Sequence, residues 1–281
     1  MTTATLRKQL KIALRPRRWS EYSVCLDAAV RAGYRIVPVE IWLQDSTRDE
    51  RTLVLRHDVD VCPRAALEIS RLETERELAS TFYFRWSTLD RDVVERVRDN
   101  GSAVGLHYET LTRYAIENGL RRPDEVTADV VGRCRETLKE EIERFRELAG
   151  PCDSVAAHGD PRANAIGCTN DSLLRDQDYD AFGIRYSADD RAALGRVGKW
   201  VSDGTGGAYR TGGVFVRNAL AESHGLIVWN SHPNHWERGF SVLVGRVAGH
   251  ARALPRHPSR WRWGVPDALA WDRYREGIVH G

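Results

Sequence analysis

The sequence predicts an α/β fold built around a mostly parallel β-sheet. Short apolar runs of strand length alternate with longer segments whose apolar residues recur every three or four positions. The runs are apolar almost throughout, as strands covered on both faces are. Four of them stop at a histidine or an aspartate: His57-Asp58-Val59-Asp60, His107, His158 and His232. In parallel α/β folds the carboxyl ends of the strands gather on one face, and sites are built there.

The elements follow in order. Trp19 to Ala32 reads as a helix stopped by Gly33, and Tyr34 to Leu43 as an extended segment rich in β-branched and aromatic residues. A charged loop leads into the buried strand Thr52-Leu-Val-Leu-Arg56, and Pro63 suits the first turn of the next helix, with Ala66, Leu67, Ile69 and Leu72 as its apolar stripe. Thr81 to Phe84 is a strand, Asp90 to Asn100 a helix ended by Gly101, and Ala103 to Leu106 a third strand running into His107. Pro123 to Leu148 is a long charged helix, Asp153 to Ala157 a strand running into His158, and Leu226 to Trp229 a strand running into Asn230-Ser-His-Pro. Strands alternating with helices imply parallel pairing.

Composition narrows the function classes. The 281 residues carry a formal net charge of +2, too small for a field that draws the chain to nucleic acid or a membrane. No run approaches the apolar length of a membrane span. The first 20 residues hold Arg7, Lys8, Lys11, Arg15, Arg17 and Arg18 without an acid, which reads as a basic, solvated helix; a presequence is the alternative. The five cysteines (Cys25, Cys62, Cys134, Cys152, Cys168) are odd in number and form no C-x-x-C pair, so a reducing, cytoplasmic setting is expected. Trp261, Trp263 and Trp271 read as packing residues, and His224, His250, His257 and His280 as surface residues. Without repeat or linker, residues 1–281 read as one domain, with a core from about 50 to 240.

Neutral imidazole and carboxylate oxygen suit zinc and similar divalent ions. Asp58 and Asp60 are two apart on an extended segment, so their side chains leave the same side of the chain. One could ligate a cation while the other takes a proton from water, and a histidine across the cleft, such as His232, could protonate a leaving amine. Each feature alone has a plainer meaning: Asp60 ahead of Cys62-Pro63 could cap a helix, and His107 and His158 could be ordinary buried, hydrogen-bonded residues. It is the recurrence at four strand ends that points to a site.

Arg56-His-Asp-Val-Asp60, Gly105-Leu-His-Tyr-Glu109, Ala157-His-Gly-Asp-Pro161 and Ser231-His-Pro-Asn-His-Trp236, in that order, resemble the polysaccharide-deacetylase superfamily. This is the NodB-homology or carbohydrate-esterase-4 type, and the likeness is to its branch with an R-H-D-V-D first motif. The resemblance implies a distorted (β/α) barrel of the NodB-homology type, a divalent metal ion with zinc foremost, and hydrolysis of an N-acyl group, typically acetyl, on an amino sugar. Carried over, Asp58 resembles the catalytic base and Asp60 the metal aspartate. His107 resembles the first metal histidine, and His232 the late-motif histidine that acts as acid or oxyanion stabiliser.

One position departs. The family's second motif has another histidine four residues after the first, where this chain has Leu111. His158 is the candidate third ligand and Glu109 the second choice; a metal-free relative is the remaining option. Arg56 and Arg185 are candidates to support the carboxylates or bind an anionic group of the substrate. Asp203, among the glycines of residues 199–206, is a candidate for substrate hydroxyls or an amine, with a surface turn as the alternative. The expected partner is a small amino-sugar-like substrate, with no nucleic acid and no membrane. Two other functions stay open: a metal-free C–N hydrolase of cyclic imide or ureide type, and a non-catalytic carbohydrate-binding relative.

Overall fold

The computed structural model describes residues 14–44, 51–160, 163–164, 166–167, 169–203, 212–242 and 244. Outside them lie the first part of the basic N-terminal stretch, Cys168, the glycines of 204–206, and the tryptophans and histidines beyond residue 245.

Helix α1 (Trp19–Arg31) leads to strand β1 (Arg35–Val37) and helix α2 (Val39–Gln44). Strand β2 (Thr52–Val59) is followed by α3 (Pro63–Thr74), β3 (Thr81–Phe84), α4 (Arg91–Asp99), β4 (Ala103–Tyr108) and α5 (Thr110–Glu117). Then come α6 (Ala128–Ala149), β5 (Ser154–Ala157), β6 (Tyr186–Ser187), α7 (Arg191–Leu194), β7 (Lys199–Ser202), α8 (Gly212–Ala221), β8 (Leu226–Ser231) and α9 (Pro233–Trp236).

Two expectations need correction. Only Arg35 to Val37 of the extended segment is a strand. Past Pro38 the chain turns helical because Val39 and Trp42, three apart, are the buried residues, and that is a helical rather than an alternating spacing. The basic stretch is not helical over residues 15–18. Pro16 lacks an N–H and biases Arg15 towards extended backbone. The segment instead runs along residues 234–239: Gly239 N–H donates to Arg15 O (2.9 Å), Arg18 N–H donates to Trp236 O (2.7 Å), and Arg17 pairs with Glu237.

All strand pairs are parallel, in the order β6-β5-β4-β3-β2-β8-β7, with β1 also pairing with β2. The sheet is curled. In a flat sheet β5 would lie three strand spacings, about 14 Å, from β2. Yet His158, which follows β5, reaches within 3.7 Å of Asp60, which follows β2. The two ends, β6 and β7, do not pair among the described residues, so the (β/α) barrel is distorted and open there.

Strand alternation sorts β2 onto two faces. Leu53, Leu55, His57 and Val59 face the helices, in or against the larger core; Val54, Arg56 and Asp58 face the inside of the curl. Val54, Tyr83, Ala156 and Val228 fill that inside and form the floor beneath the polar residues.

Gly105 precedes His107 by two residues and faces the same way. A Cβ there would lie 2.3 Å from the carbonyl oxygen of Ser154 and 2.7 Å from the Tyr83 ring. Backbone cannot yield as a flexible side chain would. Gly105→Ala is therefore expected to cost about 3 kcal/mol, read as a lowered melting midpoint with unchanged oligomeric state.

Candidate functional site

The carboxyl ends of β2, β4, β5 and β8 bring Asp58, Asp60, His107, His158 and His232 together. Asp60 is central. Its Oδ1 lies 3.6 Å from His107 Nε2 and 3.7 Å from His158 Nε2, and its Oδ2 lies 3.7 Å from His232 Nε2. Asp58 Oδ2 lies 3.7 Å from His107 Nε2. One ligand atom from each of Asp60, His107 and His158 fits within 4.8 Å of the others.

Each ring has a distinct support. His107 Nδ1 sits 3.0 Å from Ala156 O. A carbonyl only accepts, so Nδ1 is the donor, which turns Nε2 towards Asp60. Behind His158 Nδ1 lie Glu109 Oε1 at 3.4 Å and Asp160 Oδ2 at 3.8 Å. Burial, with Arg85 nearby, pushes His158 down to about 4, so its imidazole is neutral at ordinary pH.

His232 is built differently. Its Nδ1 meets Asp203 Oδ1 at 2.6 Å, and its backbone N–H donates to both oxygens of the same carboxylate. Burial lowers its basicity, but Asp203 with Asp60 and Asp58 together outweigh burial and lift it to about 9, so the ring carries a proton. Asp203 also accepts from Ser231 Oγ (3.1 Å) and Trp236 Nε1 (3.1 Å), and faces His235 Nδ1 at 3.2 Å. With so many protein donors on one buried carboxylate, Asp203 acts as the anchor of His232.

Asp58 is fixed by Arg56, whose Nε and Nη2 donate to Oδ1 (2.8 Å) and Oδ2 (3.1 Å), and by Asn230 Nδ2 (3.0 Å). Burial opposes its charge, but Arg56, His107 and His232 outweigh burial and hold it well below the usual carboxylate range. Arg56 also reaches Asp189 Oδ1 (3.0 Å), and Asp189 accepts from Ala157 N–H, just before His158. His57, between these residues, points the other way. Its Nε2 lies 2.7 Å from Glu73 Oε1 in a closed pocket that Tyr22 and Ser80 complete.

The other positions singled out from the sequence divide. Glu109 sits at the rear of His158, paired with Arg85 and Arg113. Arg185 is exposed, stacks over Tyr186, and contacts none of the clustered residues. Leu111 is fully buried in the main apolar core at the start of α5. Arg85 and Asp189 carry no sequence signal, because each lies far in sequence from the motif it supports; Asn230 and His235 fall within the late segment around His232, but nothing there marks their partners, Asp58 and Asp203.

The donor set fits a divalent cation. Ligands about 2.1 Å from zinc at tetrahedral angles stand about 3.4 Å apart, close to the 3.6 and 3.7 Å from Asp60 Oδ1 to the two imidazoles. Asp60 Oδ1 is buried and has no hydrogen-bond partner among the described residues, a costly state for a carboxylate oxygen unless a cation meets it.

No family model matches the sequence. No curated protein matches it either. Among solved structures, the chain is similar to a CE4 family pseudoenzyme from Bacillus anthracis, at 11% identity and a TM-score of 0.43 over 70% of this chain and 60% of that one. It is also similar to a family 4 carbohydrate esterase from Bacillus anthracis, at 12% identity and a TM-score of 0.36, over 83% and 86%. At such values the likeness carries no residue role and no substrate. No helix among the described residues is long and apolar enough to cross a membrane, and the four described cysteines are buried.

Proposed function

We propose that the chain is a metal-dependent hydrolase that removes an N-acyl group, acetyl foremost, from an amino sugar or sugar-like small molecule. The observation that carries this reading is Asp60 Oδ1, buried without a hydrogen-bond partner among the described residues and faced by the Nε2 atoms of His107 and His158. Asp60, His107 and His158 would hold the cation, with His158 in the place the missing histidine leaves open. A bound divalent ion, zinc foremost, lowers the pKa of water towards neutrality and polarises an acyl carbonyl.

The chain's own residues supply the rest. Asp58 stays ionised and is aimed by Arg56 and Asn230, so it can take the proton from the attacking water. His232 holds a proton under the influence of Asp203 and faces the same space, so it can deliver that proton to the leaving nitrogen. Acid and base thus border one site: His232 Nε2 lies 3.7 Å from Asp60 Oδ2, and Asp58 Oδ2 lies 3.7 Å from His107 Nε2, as acyl transfer to water with departure of an amine calls for both groups at one carbonyl.

The test is acetate release from a panel of N-acetylated amino sugars by purified full-length chain. Activity is expected with zinc, to vanish in excess chelator, and to return on adding zinc back. A chain that binds no zinc, or turnover indifferent to chelator, would overturn the reading in favour of metal-free C–N hydrolysis.

A further inference from the structure

We propose that Arg85 is a positioning residue for His158 and, through it, for the whole ligand set; this rests on the metal-dependent reading above. A ligating imidazole needs its far N–H held by an acceptor, which fixes both the tautomer and the direction of the ligating nitrogen. His107 has a backbone carbonyl for this purpose. Among the described residues no hydrogen bond meets His158 Nδ1, and the carboxylate oxygen that faces it at 3.4 Å is Glu109 Oε1.

Glu109 is nearly inaccessible, at 1% exposure, and two arginines compensate its charge. They are not equivalent. Arg113 Nη2 reaches Oε2 at 3.5 Å, on the side away from His158. Arg85 Nη2 binds Oε1, the same oxygen that faces His158. The other arm of the same guanidinium, Nη1, donates to the backbone carbonyl of Asp60 at 3.4 Å. One planar fork thus joins the strand end bearing Asp60 to the carboxylate behind His158, across the gap between β2 and β4.

Arg85 is itself held for this task. It follows β3, the strand between those two, and its N–H donates to Thr88 Oγ1 (3.1 Å), whose hydroxyl donates to Val59 O (2.6 Å). A lysine could keep the charge but not both contacts, because only a guanidinium presents two diverging donors in one plane. The arrangement also answers the departure at Leu111: a third ligand drawn from β5 lies one strand beyond β4 and needs its own rear support.

The experiment measures zinc affinity of the full chain by competition with a chromophoric chelator. Arg85→Met and Glu109→Gln are each expected to weaken zinc binding about 10- to 100-fold, the usual effect of losing an outer partner of a ligand. The double variant is expected to be no weaker than the worse single one, because both act through one contact. The visible spectrum of the cobalt-loaded protein is expected to change in the same variants, and Arg85→Lys to recover part of the affinity. Arg113 stays on Glu109, so Arg85→Met is expected to fold; if it does not, Glu109→Gln and the cobalt spectrum decide. Wild-type zinc affinity in folded Arg85→Met, or losses that multiply in the double variant, would overturn the positioning role alone. A wild-type chain that binds no zinc would overturn the metal-dependent reading and this role with it.

Discussion

Asp58→Asn is expected to lower kcat by about 10³-fold while leaving zinc affinity within a few-fold of wild type. The substitution removes a proton acceptor and little else. Arg56 keeps Asp189 as a partner, so no buried cation is stranded. Asn230 offers its amide N–H to Asp58, and its own Oδ1 is buried without a hydrogen-bond partner among the described residues. A flip of that amide would offer an acceptor to the new Asn side chain. The low proton affinity of Asp58 keeps it ionised at every working pH but weakens its pull on the water's proton, so the proposed base relies on a water already acidified by the cation. Steady-state kinetics on zinc-loaded protein, paired with a chelator competition, separates the two effects. Full activity in Asp58→Asn would remove Asp58 from the mechanism.

His158→Ala is expected to weaken zinc binding by about 10²-fold, and Leu111→His in that background is expected not to restore it. The apparent 10–16 kcal/mol of a four-ligand zinc site corresponds to about 3 kcal/mol per ligand, or roughly two decades of affinity. Restoring the histidine at the customary spacing fails for a geometric reason. Leu111 lies in the apolar core on the first turn of α5, so an imidazole there would be buried without a partner. The expected result is a further loss of about 2–4 kcal/mol of stability. Calorimetric zinc titration with parallel thermal melts measures both quantities. Recovery of zinc binding by Leu111→His would show that α5 can turn its first residues towards the cation and that His158 is not the native third ligand.

How far the primary sequence anticipates this molecule depends on the range of the interaction that decides each feature. Strands β2, β3, β4, β5 and β8 are short apolar runs whose burial on two faces is written in their own residues, and they were found within a few positions. Asp58, Asp60, His107, His158 and His232 were readable for the same reason: each follows such a run directly, and parallel pairing brings the ends of the runs to one face. The segment after Val37 was misjudged because β-branched and aromatic residues suit a strand, and only the three-residue spacing of Val39 and Trp42 betrays the helix. Asp203 was noticed for its glycine neighbours and given a ligand, whereas its actual partners are the imidazole of His232 and the indole of Trp236, about thirty positions on. Arg85 and Asp189 had no motif at all. Each is defined by what it bridges, and a bridge across strands is a property of the curl, which no local pattern encodes.

Strand β7 is laddered to β8 on one side and to nothing on the other among the described residues, and Asp203 begins where that single ladder ends. Local openings of a native protein start where the fewest bonds must break. Peeling β7 away would take the carboxylate off His232 and leave the interleaved ladders of β2, β4 and β5 closed. The proposed acid and the proposed cation ligands would therefore have different thermal lifetimes: on warming, the expected result is that catalysis fades while circular dichroism still records an intact sheet and zinc is still retained.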